Sequence, residues 1–524
     1  MNINSKEIPL HGLRLTLKSS VILVVFTCLY FSRPSHAVGL TENGYPHYYV
    51  SDSKENGTPN EMQILHSGIA SLQKRIDLIR KAKKRISLEY FIWEEDKAGL
   101  LMFHELIKRA KDGVDIRIIL DKSITVIEMD EFFSEAVRKY GIDLRHYNRA
   151  LDPSTAQFRT HRKILVIDGK EGITGGRNIG DDYFDMDEVY NFLDRDVYVK
   201  GPVALAMQDS FDDFWNNPIV KKAKVLDSNP NSRRLFRNQR DRQRYHNHKD
   251  EVLERRRAEA KQWIEGHTAM AEVSDEVERI ARPILNKYPT INCPKVTYVS
   301  DRPGANFVQR IQPDYRKDFR VLRKVIFDYI KNQTRGEFIL ASPYFMLNKY
   351  WQEALSEVIK DEKVKMTLYT NSLGSTDAFY VAANFYRIIF KWHDFGLTTW
   401  MHNSKFDAID PVFNEAVEKG RWGMHEKTQV YSDQSFYIGT YNIDNRSDFY
   451  NTEMGLFCDG SKELTKNLVD DMKERYLKGY KIVGDEKAVT ADGENADVYG
   501  DATEKQVKFM KKMTIPSLLL EPLM

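Results

Sequence analysis

His161 and Lys163 stand two residues apart at the head of an apolar run, in THRKILVIDGKEGITGGRN from Thr160 to Asn178. His425 and Lys427 repeat the spacing in MHEKTQVYSDQSFYIGTYN from Met424 to Asn442. On an extended strand, residues i and i+2 share a face, so each imidazole projects beside a cation. Asp168 lies at odd spacing from His161 and precedes Gly169, which reads as a hairpin turn, and Ser432 holds the matching place. The return strands deliver GGRN and GTYN, where glycine (Gly176 in the first) lets backbone approach a ligand and Asn178 and Asn442 offer amide donors. Acids follow at Asp194 in NFLDRD and Glu453 in DFYNTE.

Two His, two Lys, two Asn and two carboxylates suit a phosphodiester. Lysine and amide groups bind the charged oxygens of a pentacoordinate phosphorus. One imidazole attacks, the other protonates the leaving alkoxide, and each carboxylate orients a ring. A lone His-x-Lys is usually an exposed pair. The full pattern His-x-Lys-x4-Asp-x6-Gly-x2-Asn is rarer: at about 5% usage per residue type, chance supplies it in roughly one chain in several thousand. Here a near-copy follows 264 residues later.

The elements around the motifs also repeat. RISLEYFIW, KAGLLMFHELIKRAKDG and VDIRIIL read as strand, helix and strand, and GEFILASPYFM, NKYWQEALSEVIKDE and KVKMTLYTN follow the same order. Two α/β units joined by duplication are expected, at 38–225 and 286–483. Between them, 226–285 reads as a basic helical insert. From Arg233 to Lys261, eleven Lys or Arg face five acidic residues. It reads as a solvated bridge between the units, with a grip on anionic lipid or nucleic acid as the alternative. Residues 484–524 read as an acidic linker, then a short apolar tail that docks on the body or touches a membrane.

With 42% apolar and 12% aromatic residues, the chain of 524 residues is a folded body. Residues 1–37 read as a signal peptide: Arg14 and Lys18 precede an apolar core from Val21 to Phe31, and SRPSHA ends in a small-residue cleavage pattern. An uncleaved membrane anchor is the alternative, although eleven apolar positions fall short of the roughly 20 a spanning helix needs. An exported, periplasmic or secreted protein with peripheral membrane association is therefore expected. The leader holds four basic residues against one acidic, so the remainder of a chain with total charge +2 sits near −1. That balance argues against nucleic acid as the partner. Cys28 lies in the leader; Cys293 and Cys458 form either one disulfide or two buried thiols. No cysteine or histidine spacing signals structural zinc.

These residues closely resemble the HKD motifs of the phospholipase D superfamily. LEYFIW, GGRNIGDDYF, VSDRPG, ASPYF, YTNSLGSTD and NRSDFYNTE resemble its bacterial cardiolipin-synthase-C branch, from about Glu61 to Tyr480. The resemblance implies an α/β fold of two domains in pseudo-twofold arrangement, each a mixed sheet flanked by helices, with one shared active site and no metal or other cofactor. It implies His161 as nucleophile and His425 as general acid and then base. Glu453 would stand behind His161 and Asp194 behind His425. Lys163, Lys427, Asn178 and Asn442 would hold the phosphate, and Thr440, where serine is common, keeps a hydroxyl at the site. The expected partner is a phospholipid surface of phosphatidylglycerol and phosphatidylethanolamine, and the expected reaction phosphatidyl transfer. A secreted hydrolase giving phosphatidic acid, a nuclease of the superfamily and an inactive lipid-binding protein are the rivals. Oligomeric state has no signature in the sequence.

Overall fold

The computed structural model describes residues 47–122, 130–149, 157–223, 239–304, 320–406 and 409–520. The expected leader lies outside them.

Two large mixed sheets organise the chain, and their central strands repeat one order. In the first, Arg85–Tyr90, Asp115–Asp121 and Ile142–Tyr147 run parallel, and Ile164–Ile167 returns antiparallel beside Arg85–Tyr90. In the second, Gly336–Ala341, Val364–Asn371 and Thr398–His402 run parallel, with Thr428–Ser432 antiparallel beside Gly336–Ala341. The parallel strands are mostly buried, with apolar stretches such as IIL of Asp115–Asp121 and FILA of Gly336–Ala341 at their centres. Helices follow them as the spacing requires. Lys97–Lys111 is capped by Asp96, whose side chain accepts from the Gly99 N–H at 2.8 Å, and its last turn carries Lys108, Arg109 and Lys111.

The sheets exchange their edges. Tyr48–Asp52, at the start of the described chain, pairs with Lys295–Ser300 in the second sheet. Ile291–Cys293 pairs back onto Asn60–Leu65 in the first. Cys293 is joined to Cys458, 165 residues on, so the open question about these thiols resolves as a disulfide linking the two sheets. One apolar cluster includes Ile64, Val166 and Val197 of the first sheet with Val296, Ile438 and Leu456 of the second. Helices Pro202–Asn216 and Lys462–Tyr476 contribute Phe211, Phe214, Leu468 and Met472 to it. The two halves share this core.

Two expectations are corrected. The basic helix, Gln239–Glu265, does not bridge the halves. It lies on the first half, where Trp263 meets Phe133 at 5.0 Å and Phe103 at 6.1 Å, and Ala260 and Ile264 are buried. Arg256 pairs with Asp130 at 2.7 Å and Arg257 with Glu135 at 3.6 Å, so these cations are matched by acids of the body. Residues 484–504 are not a linker either. Lys487–Val489 and Asn495–Ala496 extend the second sheet, and buried Val498 joins its core. Their acidic side chains point outward from a short β-meander, which composition alone cannot distinguish from a loop.

Candidate active site

The hairpins place the motifs. In the first, Asp168 and Gly169 have φ of 53° and 64°, the left-handed pair that a tight hairpin turn favours. Asp168 does more than turn the chain: its carboxylate accepts from the N–H groups of Lys83, Lys84 and Arg85 at 2.8–3.0 Å, fixing the start of the neighbouring strand. The second hairpin closes on Asp433 and Gln434 with a bulge between Val430 and Ser432, so Ser432 keeps the turn by another geometry.

Backbone pairing across the halves then sets the partners. Thr160 forms a parallel bridge with Thr452, and the His161 N–H donates to the Thr452 carbonyl at 3.0 Å. This lays His161 beside Glu453. In the other direction, Arg421–Met424 runs parallel to Tyr190–Leu193, and the His425 N–H donates to the Leu193 carbonyl at 2.7 Å. This lays His425 beside Asp194. His161 Nδ1 stands 2.9 Å from Glu453 Oε2, and His425 Nδ1 stands 2.6 Å from Asp194 Oδ2. A carboxylate only accepts, so both Nδ1 atoms carry the proton and each Nε2 presents its lone pair.

Lys163 Nζ donates to the His161 carbonyl at 3.0 Å, and Lys427 Nζ donates to the His425 carbonyl and lies 3.1 Å from His425 Nε2. Four ionisable groups of one motif pair are thus buried together. Burial first, then the neighbouring lysines, lowers His161 to about 4 and His425 to about 3. Glu453 and Asp194 partly oppose this. Burial and the opposing lysine bring Lys163 down to about 7, and burial brings Lys427 down to about 8. For the two acids burial pushes upward, but His161 beside Glu453, and Lys427 and His425 beside Asp194, outweigh it and hold both below their ordinary values.

The carboxylates are held unequally. Glu453 accepts from His161, from Thr440 Oγ1 at 2.5 Å, from Ser447 Oγ at 2.8 Å and from Asn451 Nδ2 at 3.2 Å. Asp194 accepts from His425 and from the Arg195 N–H at 2.7 Å. Two assignments change accordingly. Thr440 is buried and addresses Glu453, not a ligand. At Gly176 an added Cβ would fall 2.0 Å from Asp194 Oδ1, so glycine there makes room for the acid rather than for a ligand. Asn178 accepts from the Ile92 N–H at 3.2 Å and bonds Tyr183, while Asn442 Oδ1 is buried without a hydrogen-bond partner.

Residues outside the motifs complete the walls. Phe91 stands edge-on to His161 at 5.4 Å, and Tyr183 and Phe192 flank His425 at 5.4 and 4.9 Å. The middle residues of the triplets face away. Arg162 pairs with Glu89 at 3.4 Å and stacks on Phe214 at 3.7 Å; Glu426 pairs with Arg195, which also binds Asp471 at 2.5 Å. Ser447, Asn451, Phe91 and Tyr183 all lie in segments whose wording had marked them, NRSDFYNTE, LEYFIW and GGRNIGDDYF. Among the described residues, no group of three or more His, Cys, Asp or Glu is arranged to hold a metal ion.

Comparison with known proteins adds the following. A family described as cardiolipin synthase, PLD-like domain, matches residues 76–215. The chain is 26% identical over 423 residues to cardiolipin synthase C of Escherichia coli K12, spanning 77% of this chain and 83% of that one. A cardiolipin synthase of Geobacillus is 23% identical over 421 residues, spanning 79% and 66%. An uncharacterized protein of Helicobacter pylori J99 is 27% identical over 453 residues, 82% of each chain. The crystal structure of phosphatidylserine synthase from Haemophilus influenzae Rd KW20 shares the fold, with a TM-score of 0.57 at 14% identity over 90% of this chain and 99% of that one.

Proposed function

Because this chain belongs to the phospholipase D superfamily, on its cardiolipin-synthase-like branch, we propose that it moves a phosphatidyl group from one glycerophospholipid to the hydroxyl of a second. His161 Nε2 attacks phosphorus while the P–O bond to the leaving head group breaks. His425 Nε2–H gives its proton to that departing oxygen. The phosphatidyl group then rests on His161. An acceptor hydroxyl passes its proton to the now neutral His425, attacks phosphorus, and the P–N bond breaks to restore His161. Lys163, Lys427, Asn178 and Asn442 are the groups at hand for the phosphate oxygens.

The observation that carries this reading is the crossed pairing, His161 with Glu453 and His425 with Asp194. It offers two Nε2 atoms and two ammonium groups to one phosphodiester. The free site keeps both imidazoles neutral, which suits a nucleophile. A bound phosphodiester anion offsets Lys163 and Lys427 and so raises His425 towards the protonated form the acid needs.

Lipid product analysis tests the proposal. Purified protein in vesicles of phosphatidylglycerol and phosphatidylethanolamine is expected to give cardiolipin, and His161→Ala none. Phosphatidic acid with free head group and no cardiolipin would make it a hydrolase; lipids left unchanged alongside salt-sensitive cleavage of DNA would make it a nuclease. The expected leader supports action outside the cytoplasm, at the periplasmic or outer side of a membrane.

A further inference from the structure

The C-terminal helix, Glu504–Leu520, turns one face to the body and the other to solvent. Met510 and Ser517 are buried, and Val507 and Met513 pack against the second-half core. Lys505, Lys508, Phe509, Lys512 and Ile515 are all exposed. At 100° per residue these five fall within an arc of roughly 120°. Phe509 is 51% exposed and Ile515 is 74% exposed. Single exposed apolar residues are ordinary. Here two large ones sit among lysines on one helix face, and four lysines face a single glutamate, Glu504, which pairs with Lys508 at 3.2 Å. That is the pattern of a helix lying in a membrane interface, apolar side chains dipping in and lysine stems reaching to head groups.

The face adjoins the start of the helix Phe379–Asp394. Phe509 meets Phe379 at 6.3 Å, at the start of the helix Phe379–Asp394, where Tyr380 is also exposed. Two residues before Phe379, Asp377 accepts from the Tyr344 hydroxyl at 3.0 Å and acts electrostatically on Lys427. A layer touching Phe509 therefore lies at the start of the helix that follows Asp377, the acid that acts on Lys427.

We propose that this outer face of the C-terminal helix docks the enzyme on a bilayer carrying anionic phospholipid. The proposal rests on the phospholipid reading above, and names how the site meets its substrate. Lysines would draw the face to phosphatidylglycerol head groups, and Phe509 and Ile515 would enter the acyl boundary.

Full-length protein carrying Cys28→Ser and Ile515→Cys, labelled at position 515 with an environment-sensitive fluorophore, tests the contact directly. Vesicles of phosphatidylglycerol and phosphatidylcholine should shift its emission to the blue. Phosphatidylcholine alone, or high salt, should weaken the shift. Separately, Phe509→Asp with Ile515→Asp should lower turnover of vesicle lipid by about tenfold or more, and leave turnover of monomeric short-chain phosphatidylglycerol unchanged. No shift at 515 while the enzyme still acts on vesicles overturns the proposal. So does a shift that follows protein concentration instead of lipid, since the face then binds a second copy. A shift without turnover of any phospholipid keeps the docking face and sinks the proposed reaction.

Discussion

Lys163 shows what the site costs the fold. Its ammonium is buried near Lys427 and titrates at about 7, against 10.5 in the open chain. The unfolded chain therefore holds the extra proton between those values, and stability rises with pH across that window. Lys163→Met should abolish turnover yet raise Tm at pH 7 by a few degrees, with the gain shrinking as pH approaches about 10. A lower Tm for the variant at pH 7 would show that the charge is better accommodated than its surroundings suggest. The acids allow a second comparison. Glu453→Gln keeps the shape but removes the charge that fixes the His161 tautomer, and should lower kcat by about 10²–10⁴. Thr440→Val removes one of four donors and should lower it by about tenfold to a hundredfold. An unchanged single-turnover rate for Thr440→Val would deny Thr440 its supporting place. At this scale the spacing was informative about position: His161, Lys163, His425 and Lys427 are buried with Glu453 and Asp194, whereas Asp168 lies at the hairpin turn. The crossed pairing came from family likeness, because spacing cannot tell which acid faces which imidazole. Gly176 and Thr440 were misread because a residue's neighbour in space, here an acid 18 or 13 positions away, is invisible in a motif.

At the level of elements, periodicity located the strand–helix–strand units well, since the buried strands are rich in apolar and β-branched residues and the helices after them carry caps at Asp96 and Asn348. It failed where composition had to stand in for contact. The basic helix reads as solvated, yet Trp263, Ala260 and Ile264 hold it to the first half, and Arg256 and Arg257 meet Asp130 and Glu135. The acidic stretch 484–504 reads as a linker, yet it carries two short strands and buries Ala488 and Val498 in the second-half core. The disulfide gives this level its prediction. Cys293 sits on an edge strand of the first sheet and Cys458 within the second. Closing a loop of 165 residues contributes about 2–5 kcal/mol. Replacing both cysteines with alanine should lower Tm by several degrees, and a reductant should lower the wild-type Tm but not the variant's. Equal response of the two to reductant would mean that the bridge does not form in the purified protein.

For the molecule as a whole, duplication was legible but the exchange of edges was not: strands of five and three residues, paired with partners far along the chain, leave no local signal. The shared core has a direct test. Cut between residues 228 and 232 and expressed separately, neither fragment should be soluble, because each leaves half of the core between the sheets exposed. Expressed together they should co-purify and recover turnover; a soluble, folded single fragment would show that the halves are independent. The same exchange bears on how the chain is made. Tyr49 pairs with Tyr298, so an early strand waits for roughly 250 further residues to be synthesised. At about 5–20 residues per second that is some ten to fifty seconds with an unsatisfied edge. A nascent chain would have to be kept from misassembly throughout that interval, and the finished body can close only after most of the chain has been made.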